Sequence, residues 1–427
     1  MKDGPPTADS HTAVPGYGVG DTNLDNPLLE NEAWFVSIEA SPMYVGEASC
    51  TAFSTRFRQL LLHDRAERHI PRTQYVQDSQ LLAAFDLNVQ RPNRPQALLL
   101  VETVISTLGR CYHIAQPSSL RNLVDKAYRD PKPLDNVLTC KLFALFALGE
   151  VYSSRPKTGN DNLPPGLAYF AKASKLMRVI PERPRVGHIE LLILFALYSL
   201  VLNRRHSAYR WIGSAMRLGL FVGLHQNIHE SQLPDRAARQ HRNCLWWTVY
   251  IIDRMLGAKF GYPSLIRDDD IDVNLPSDSG LTPVQKEGFL GAEYLIAHVN
   301  LARIAGNIIT ILYSRKKLDD TFSQRVHKIF RDLRTWFEAL PEDMQLRNQG
   351  TTQVAKHILS LHLFFNQVRH CLLTFPALAN RLVCYPCHST YSTACVSCFS
   401  RHQPLWSVPG FARDSTGDIC SSRDMRP

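Results

Sequence analysis

From about Ala52 onward, the apolar residues of this sequence recur with the 3.6-residue period of an α-helix, and the alternation typical of β-strands is nearly absent. A chain with this pattern buries one side of each segment against its neighbours, so its fold is a packed set of helices. We therefore predict an all-α protein with about ten helices. The predicted helices cover residues 52–63, 96–112, 134–152, 167–178, 186–202, 206–222, 237–256, 282–314, 321–340 and 352–373.

The segments centred on Trp211 and Val249 show this pattern most clearly. Each carries a broad apolar stripe along one helical face. We expect the two stripes to pack against each other inside the core. Gly219 lies on the first stripe and has no side chain to hold a neighbour away, and the intensely apolar segment 191–202 is the expected neighbour.

Polar side chains on the second of these segments predict two contacts. Arg242 and Trp246 lie one turn apart, so the guanidinium can lie over the indole ring. Asp253 falls on the same face, and we predict that it pairs with an arginine of the neighbouring helix, for which Arg217 is the candidate, and fixes the register between the two helices. Removing Asp253 would then leave a buried charge without its partner.

Basic residues exceed acidic ones, but they are spread along the chain. With 48 Lys and Arg against 39 Asp and Glu, the formal net charge is +9. Nucleic-acid binding surfaces concentrate such charge on one face. The densest basic groups, residues 204–205 and 315–317, are too short for that, so we interpret the excess as a solvated surface.

The ten cysteines and the hydropathy pattern indicate the compartment. Most cysteines are scattered singly, unlike the dense disulfide framework of a small secreted domain. The first residues hold no apolar stretch that would make a secretory signal. The longest apolar run, residues 191–202, is shorter than the roughly 18 residues that a membrane span needs. We expect a protein of a reducing compartment that does not contact a membrane.

Composition divides the chain into three parts. Residues 1–27 combine Gly, Pro, Asp and Thr without apolar periodicity and are predicted to be a disordered leader. Residues 28–380 form the helical domain. Residues 381–427 change to Cys, Ser, Pro and aromatic residues, and we interpret them as an irregular tail that is foreign to the fold.

The two central segments and their flanks also carry a recognisable motif. They read AYRWIGSAMRLGLFVGLHQN and HRNCLWWTVYIIDRMLGAKFGYPSLIRDDDIDVNLP, and upstream lie PMYVGEASCTAFSTRFRQLL, KLFALFALGEVYSS and PPGLAYFAKASKLM. This arrangement resembles the middle homology region of fungal-specific transcription factors of the binuclear zinc-cluster class, over roughly residues 26–380. The resemblance implies an all-helical regulatory domain without catalytic residues, which controls RNA polymerase II transcription in the nucleus. The positions that match the family's motif are Gly213, Arg217, Gly223, Leu224, His225, Arg242, Trp246, Trp247, Asp253, Arg254, Gly261, Pro263, Asp272 and Pro276.

Two departures from the family's pattern affect what the resemblance implies. Tyr262 stands where the family usually has Arg. The family reads DNA with an N-terminal cluster of six cysteines and two zinc ions, and this chain has no cysteine before Cys50. We therefore expect no cofactor on this chain itself, and contact with DNA only through a zinc cluster that it lacks. The expected partners are a small-molecule effector, other transcription factors or a second copy of the chain.

A zinc-binding interaction protein is the alternative function. Two C-x-x-C pairs lie in the tail, and paired thiolates at that spacing can ligate zinc. Against this, the loop between the pairs is shorter than the roughly 15 to 20 residues of zinc ribbons. The residues concerned are Cys384, Cys387, Cys395 and Cys398, with His388 and His402 nearby.

Two further spacings imitate metal sites. Asp268, Asp270 and Asp272 open like a calcium loop, but the Gly and Glu that such a loop needs are replaced, so we predict an exposed acidic turn. His225 and His229 are four residues apart, but a helix is predicted to end just before them, so they are not expected to share a metal. The sequence contains no recognisable nucleophile motif, and the chain is predicted not to be an enzyme.

Overall fold

A computed structural model describes residues 33–38, 41–62, 69, 74–130, 134–153, 163–177, 182–316, 318–346 and 355–372. Within these ranges the chain folds into helices and one short hairpin, so the predicted all-α class is confirmed. The predicted leader, and the tail with its two cysteine pairs, lie outside the described residues. The three-part division of the chain stays a prediction.

A hairpin precedes a series of helices in the described part of the chain. The elements are β1 (Trp34–Ile38), β2 (Ser41–Val45), α1 (Cys50–Leu62), α2 (Asp78–Phe85), α3 (Arg94–Thr107), α4 (Pro117–Arg129), α5 (Asn136–Tyr152), α6 (Leu167–Leu176), α7 (Val186–Val201), α8 (Arg205–Phe221), α9 (Arg236–Phe260), α10 (Pro283–Lys286), α11 (Ala292–Asn307), α12 (Phe322–Glu338) and α13 (Lys356–Leu372). The strands β1 and β2 pair antiparallel, with Trp34 opposite Val45.

Most of the predicted helices agree with the structure to within a few residues, and the differences have local causes. The predicted helix 282–314 is interrupted, because Gly288 and Gly291 fall between α10 and α11 and favour irregular backbone. The sequence pattern also misses the hairpin, α2 and α4. Helix α4 begins at Pro117, whose fixed φ angle suits a first helical turn and was the available signal.

Helix α7 lies at the centre of the core. Every residue from Ile189 to Val201 is buried, and the helix packs along α5 and α8. Helix α8 also contacts α9, and α9 packs along α11. Because Ile212 of α8 and Val249 of α9 are buried, the predicted packing of these two amphipathic segments is confirmed.

One helix in the described part is long and apolar enough to cross a membrane by length and composition alone. It joins α11 to a π-helical turn and spans Ala292–Leu312. Its most apolar stretch is mainly buried, and it packs against α9, α12 and α13. This packing is typical of the core helix of a globular protein.

The hairpin contacts the helical body through two glycines. Gly46 follows β2, and Gly261 ends α9 with a positive φ of 69°, which suits a residue without Cβ. Their backbones meet so closely that a Cβ on Gly46 would collide with the carbonyl oxygens of Phe260 and Gly261.

Replacing Gly46 by Ala is expected to lower the free energy of unfolding by about 1–3 kcal/mol, because the hairpin must move away from the end of α9. Urea unfolding measures the loss, and faster amide hydrogen exchange in β1 and β2 locates it. The matched control is Gly109→Ala, since a Cβ there would lie 3.7 Å from its nearest neighbour, an ordinary contact. If Gly46→Ala and Gly109→Ala lowered the free energy of unfolding equally, the close contact between Gly46 and the end of α9 would be contradicted.

Candidate functional site

Helix α8 ends in a glycine turn that places the next segment beside α9. Gly223 adopts a left-handed conformation with φ of 69°. The Leu224 amide donates to the Gly219 carbonyl at 2.8 Å, and the Gly223 amide donates to the Leu220 carbonyl at 3.0 Å. This pattern satisfies the last carbonyls of the helix. The predicted end of the helix at Gly223 is therefore confirmed.

Arg242 of α9 binds the end of α8 rather than an aromatic ring. Its Nη2 donates to the Val222 carbonyl at 2.7 Å and lies 3.5 Å from the Gly223 carbonyl. A cation at the C-terminus of a helix is favoured by the helix dipole and by the free carbonyls there. The predicted contact of Arg242 with the face of Trp246 is wrong, because the carbonyls of α8 lie within reach of the guanidinium.

Trp246 packs instead against the glycine of α8. A Cβ on Gly219 would lie 3.3 Å from Cζ3 of the fully buried Trp246 ring. The close neighbour of Gly219 is therefore α9, and the prediction that it faces segment 191–202 is wrong. The ring of His225 lies beside the same indole, with 5.8 Å between ring centroids.

Residues 261–276, which we call the return loop, run back from α9 to the end of α8. The His225 carbonyl accepts hydrogen bonds from the amides of Asp272 at 3.0 Å and Val273 at 2.9 Å. The Asn227 side chain donates to the Asp272 carbonyl at 2.7 Å. Nδ2 of Asn227 also lies 3.5 Å from Oδ2 of Asp272, so backbone and side chain of Asp272 both join the return loop to the segment after α8.

Helix α9 holds the same loop from the other side. The Asn274 carbonyl accepts hydrogen bonds from Nε1 of Trp247 at 2.9 Å and from Nδ2 of Asn243 at 2.6 Å. The amide of Asn274 donates to Oδ1 of Asn227 at 3.1 Å. The loop is therefore held by directional polar contacts together with the buried side chains of Ile266 and Val273.

Arg254 fixes the first half of the return loop. Its buried Nη2 donates to the Ile266 carbonyl at 2.7 Å and to Oδ1 of Asp268 at 2.9 Å. Its guanidinium also lies over the ring of Tyr250, 4.6 Å from the centroid, and the Tyr250 hydroxyl donates to the same carboxylate at 2.9 Å. Asp268 is thus engaged in an ion pair with α9. Within the described residues, no group of three or more His, Cys, Asp or Glu is placed to hold a metal ion.

Asp253 is almost fully buried and does not form the predicted pair. Its exposed fraction is 2%, and its Oδ2 lies 3.6 Å from Nη1 of Arg254 on the same helix. Burial raises its pKa to about 6, opposed by Arg254, by the Leu265 amide and by the more distant Arg217. The predicted ion pair with Arg217 is wrong, because Arg254 is the closer cation.

Asp253→Asn is expected to change how stability depends on pH. The pKa of Asp253 is about 6 in the folded protein against 3.8 for the free carboxyl, so the folded state holds the proton more tightly. Wild type therefore loses about 3 kcal/mol as pH rises from about 4 to about 6, a loss that the amide avoids. Urea unfolding of both proteins between about pH 4 and pH 8 measures the difference. A difference that is constant with pH would contradict the buried, ionisable Asp253.

The structure also contains a buried polar network that the sequence analysis missed. Lys141 of α5 forms an ion pair with Oε2 of Glu190 on α7. Nε2 of His241 on α9 lies 2.9 Å from Oε1 of the same carboxylate, and its Nδ1 lies 2.8 Å from Nε2 of His113. The network therefore joins three core helices. Its only signal in the sequence was a Lys and a Glu within otherwise apolar segments.

The protonation of this network follows from its neighbours. Burial opposes ionisation of Glu190, but Lys141 and His241 outweigh it and lower its pKa to about 2. Burial, together with His241, lowers the pKa of His113 to about 3. His113 is thus neutral and Glu190 ionised near neutral pH, and the charge of Glu190 is balanced by Lys141.

A small pocket lies between α5, α6, α7 and α8, beside this network. Cys140, His188 and Leu192 are among the residues that line it, and its cavity volume is about 30 Å³. A cavity of this size holds one or two water molecules, whereas small-molecule sites usually span about 300–1,000 Å³. Binding of an organic effector here would require the helices to separate.

The family-motif residues are placed together, although what each of them does stays a prediction. Apart from the contacts described above, Gly213 is buried on α8, Arg217 is exposed there, Pro263 is exposed and Pro276 is buried. All of them lie on α8, on α9, in the turn after α8 or in the return loop. They are Gly213, Arg217, Gly223, Leu224, His225, Arg242, Trp246, Trp247, Asp253, Arg254, Gly261, Pro263, Asp272 and Pro276.

Comparison with known proteins agrees with this arrangement. The sequence matches the family described as "Fungal specific transcription factor domain" over residues 111–338, a range that contains α4 to α12. No solved structure matches the chain.

Three relatives show the extent of the similarity. "Activator of stress genes 1" of Saccharomyces cerevisiae is 27% identical over 62% of this chain and 30% of its own length. The "Acetamidase regulatory protein" of Aspergillus oryzae is 26% identical over 70% of this chain and 37% of its own length. An uncharacterized transcriptional regulatory protein of Schizosaccharomyces pombe is 24% identical over 60% of this chain and 33% of its own length. The chain therefore spans about a third of these relatives, and it belongs to the fungal-specific transcription factor domain family.

Proposed function

We propose that this chain is the helical regulatory region of a fungal zinc-cluster transcription factor and controls RNA polymerase II transcription in the nucleus. The observation that carries the proposal is the family match over residues 111–338, which includes the α8–α9 junction and the return loop. The names of the relatives, a transcriptional regulatory protein, an activator of stress genes and an acetamidase regulatory protein, support it. DNA is contacted through a zinc cluster on another part of the regulator.

The proposed mechanism is binding rather than catalysis. The polar side chains where α8 and α9 meet already have partners within the chain. Arg242 binds the backbone at the end of α8, and Arg254 binds the return loop. The return loop is attached by hydrogen bonds that another protein could exchange for its own. A partner that binds this loop would therefore shift its arrangement relative to α9 and change the activity of the regulator.

The pocket beside the buried network is too small for an organic ligand in this conformation. The alternative function, a zinc-binding interaction protein, depends on cysteines outside the described residues. The comparisons give it no support.

A reporter assay tests the proposed function. The full chain is fused to an unrelated DNA-binding domain, and expression from a matching promoter is measured in a fungal cell. The fusion is expected to change expression relative to the DNA-binding domain alone. Asn227→Ala, which removes the side-chain hydrogen bonds of Asn227 to Asp272 and Asn274 of the return loop, is expected to alter the output further.

The matched control is Gln80→Ala, because it also removes a local side-chain-to-backbone hydrogen bond, at the start of α2. Its output should equal that of the wild-type fusion. A wild-type fusion that leaves the promoter unchanged, while circular dichroism shows a folded chain, would refute a regulatory role.

A further inference from the structure

A strip of partly exposed aromatic rings crosses the hairpin and the ends of α8 and α9. Phe35 and Tyr44 of the hairpin are 57% and 41% exposed, with 5.9 Å between ring centroids. Tyr44 stacks on Tyr262 at 6.2 Å, and Tyr262 lies 5.3 Å from Tyr209 and 5.4 Å from Phe260. We call these five residues the aromatic strip. Tyr262 lies at its centre.

Apolar surface continues from the aromatic strip along α8. Gly213, Arg217 and Phe221 follow Tyr209 at intervals of four residues and so lie along one side of the helix. Leu265 of the return loop covers Gly213, where a Cβ would meet its Cδ1 at 3.5 Å, and it is 38% exposed. Phe221 is 65% exposed. Leu265 and Phe221 thus add exposed apolar side chains on either side of Arg217, and a group of such side chains is typical of a binding surface.

Two exposed arginines lie next to this surface, and the exposed carboxylates of Asp269 and Asp270 follow Leu265 farther along the return loop. Arg217 and Asp253 are charged groups that act on the Tyr209 hydroxyl, and only Arg217 is exposed. Glu47, which acts on Tyr44, is buried between two arginines, and one of them, Arg315, is 48% exposed. The parts of the surface beside Arg217 and Arg315 therefore suit a segment that presents both apolar and acidic side chains.

The register of the hairpin places the chain before β1 next to the aromatic strip. Trp34, the first residue of β1, pairs with Val45, and Gly46 directly after it abuts Gly261. The chain therefore enters β1 where α9 ends, beside Tyr262. A segment that precedes β1 starts its path in the middle of the exposed apolar surface.

The sequence immediately before the hairpin has the required chemistry. Residues 21–32 read DTNLDNPLLENE, with four carboxylates, three leucines and no Lys or Arg. Twelve extended residues reach about 40 Å. The path along α8 from Tyr209 to Phe221 is about 18 Å, twelve residues at the helical rise.

We propose that residues 21–32 bind in the same chain along the aromatic strip and the adjoining face of α8, with leucines on the rings and carboxylates toward Arg217. The contact is favoured because the segment is tethered at Trp34, which gives it a high effective concentration at the surface. It covers apolar surface that another protein would otherwise reach. The inference is independent of any role in transcription.

Photo-cross-linking in the full chain tests the proposal. Benzoylphenylalanine is placed at Leu265 or at Phe221, both exposed, and the control position is Val284, which is 79% exposed on α10. Cleavage after Glu30 and Glu32 separates the segment from β1 before mass spectrometry. A mixture of light and isotope-labelled chains distinguishes links within a chain from links between copies. The expected result is a link from Leu265 and Phe221, but not from Val284, to residues 21–32 of the same chain.

Charge reversal supplies the matched comparison. Asp25→Lys with Glu30→Lys is expected to reduce the yield of this link at least fivefold. Asp3→Lys with Asp9→Lys makes the same charge change outside the segment and should leave the yield unchanged. Links only between copies, links only to residues 1–20, or no links would each overturn the proposal, and the first of these would identify the surface as a dimer interface.

Discussion

Replacing Glu190 by Leu is expected to lower the free energy of unfolding by about 3–5 kcal/mol. Lys141 is 4% exposed and would lose the carboxylate that balances its charge. His241 would lose the same partner. The protein must then either bury an unpaired ammonium group or open the contact between α5 and α7. Urea unfolding at neutral pH measures the loss.

A double variant separates the charge effect from packing. Lys141→Met combined with Glu190→Leu leaves no unpaired ion and keeps most of the volume, so it should recover most of the lost stability. Its remaining deficit is attributed to His241 and His113, which keep only each other. If Glu190→Leu lowered the free energy of unfolding by less than about 1 kcal/mol, the prediction would be wrong. The Lys141 ammonium group would then reach water without disturbing the core.

The partners within this buried network could not be predicted from the sequence. Periodicity predicts that α7 is buried, and a Glu inside such a helix signals a buried partner. The partner itself is 49 residues away on α5, and nothing in either segment selects it. The helices can be predicted because their pattern is local. The network depends on how three helices are rotated about their axes, which is a property of the packed core.

The partners of Arg242 and Asp253 on α9 were predicted wrongly for the same reason, since they too depend on how the helices pack. Arg242 and Trp246 do share a face, but the sequence does not show that the free carbonyls at the end of α8 lie closer to the guanidinium. Those carbonyls are the stronger partner for a cation. For Asp253, the adjacent Arg254 was the closer cation. The packing of α8 against α9 was predicted correctly, whereas the neighbour of Gly219 and the individual polar partners were not.

The family resemblance predicted more than the residue patterns alone. The motif residues of α8 and α9 identified the family, which is confirmed over residues 111–338. The patterns did not predict the hairpin, although its segment PMYV was part of the resemblance. Two strands of five residues are too short for alternation to distinguish them from a loop.

Arg254→Met is expected to cost about 3–5 kcal/mol at about pH 8 and to release the return loop from α9. The substitution removes the donor to the Ile266 carbonyl and to Asp268. It also leaves the buried Asp253 without its nearest cation. Unfolding by urea measures the cost, and amide hydrogen exchange in residues 262–271 measures the release of the loop.

The cost of Arg254→Met should itself depend on pH. The pKa of Asp253 is already raised to about 6 by burial, and it rises further when Arg254 no longer stabilises the carboxylate. Near pH 5 the carboxyl is therefore protonated in the variant and carries no unpaired charge, so the loss of stability is smaller than at pH 8.

Asp253→Asn combined with Arg254→Met should show the smaller loss at both pH values. Arg217→Met, at an exposed position on α8, should cost less than about 1 kcal/mol. If Arg254→Met lost the same free energy of unfolding at both pH values, Arg254 would stabilise the protein only by holding the return loop. The prediction that its guanidinium stabilises the Asp253 carboxylate would then be wrong.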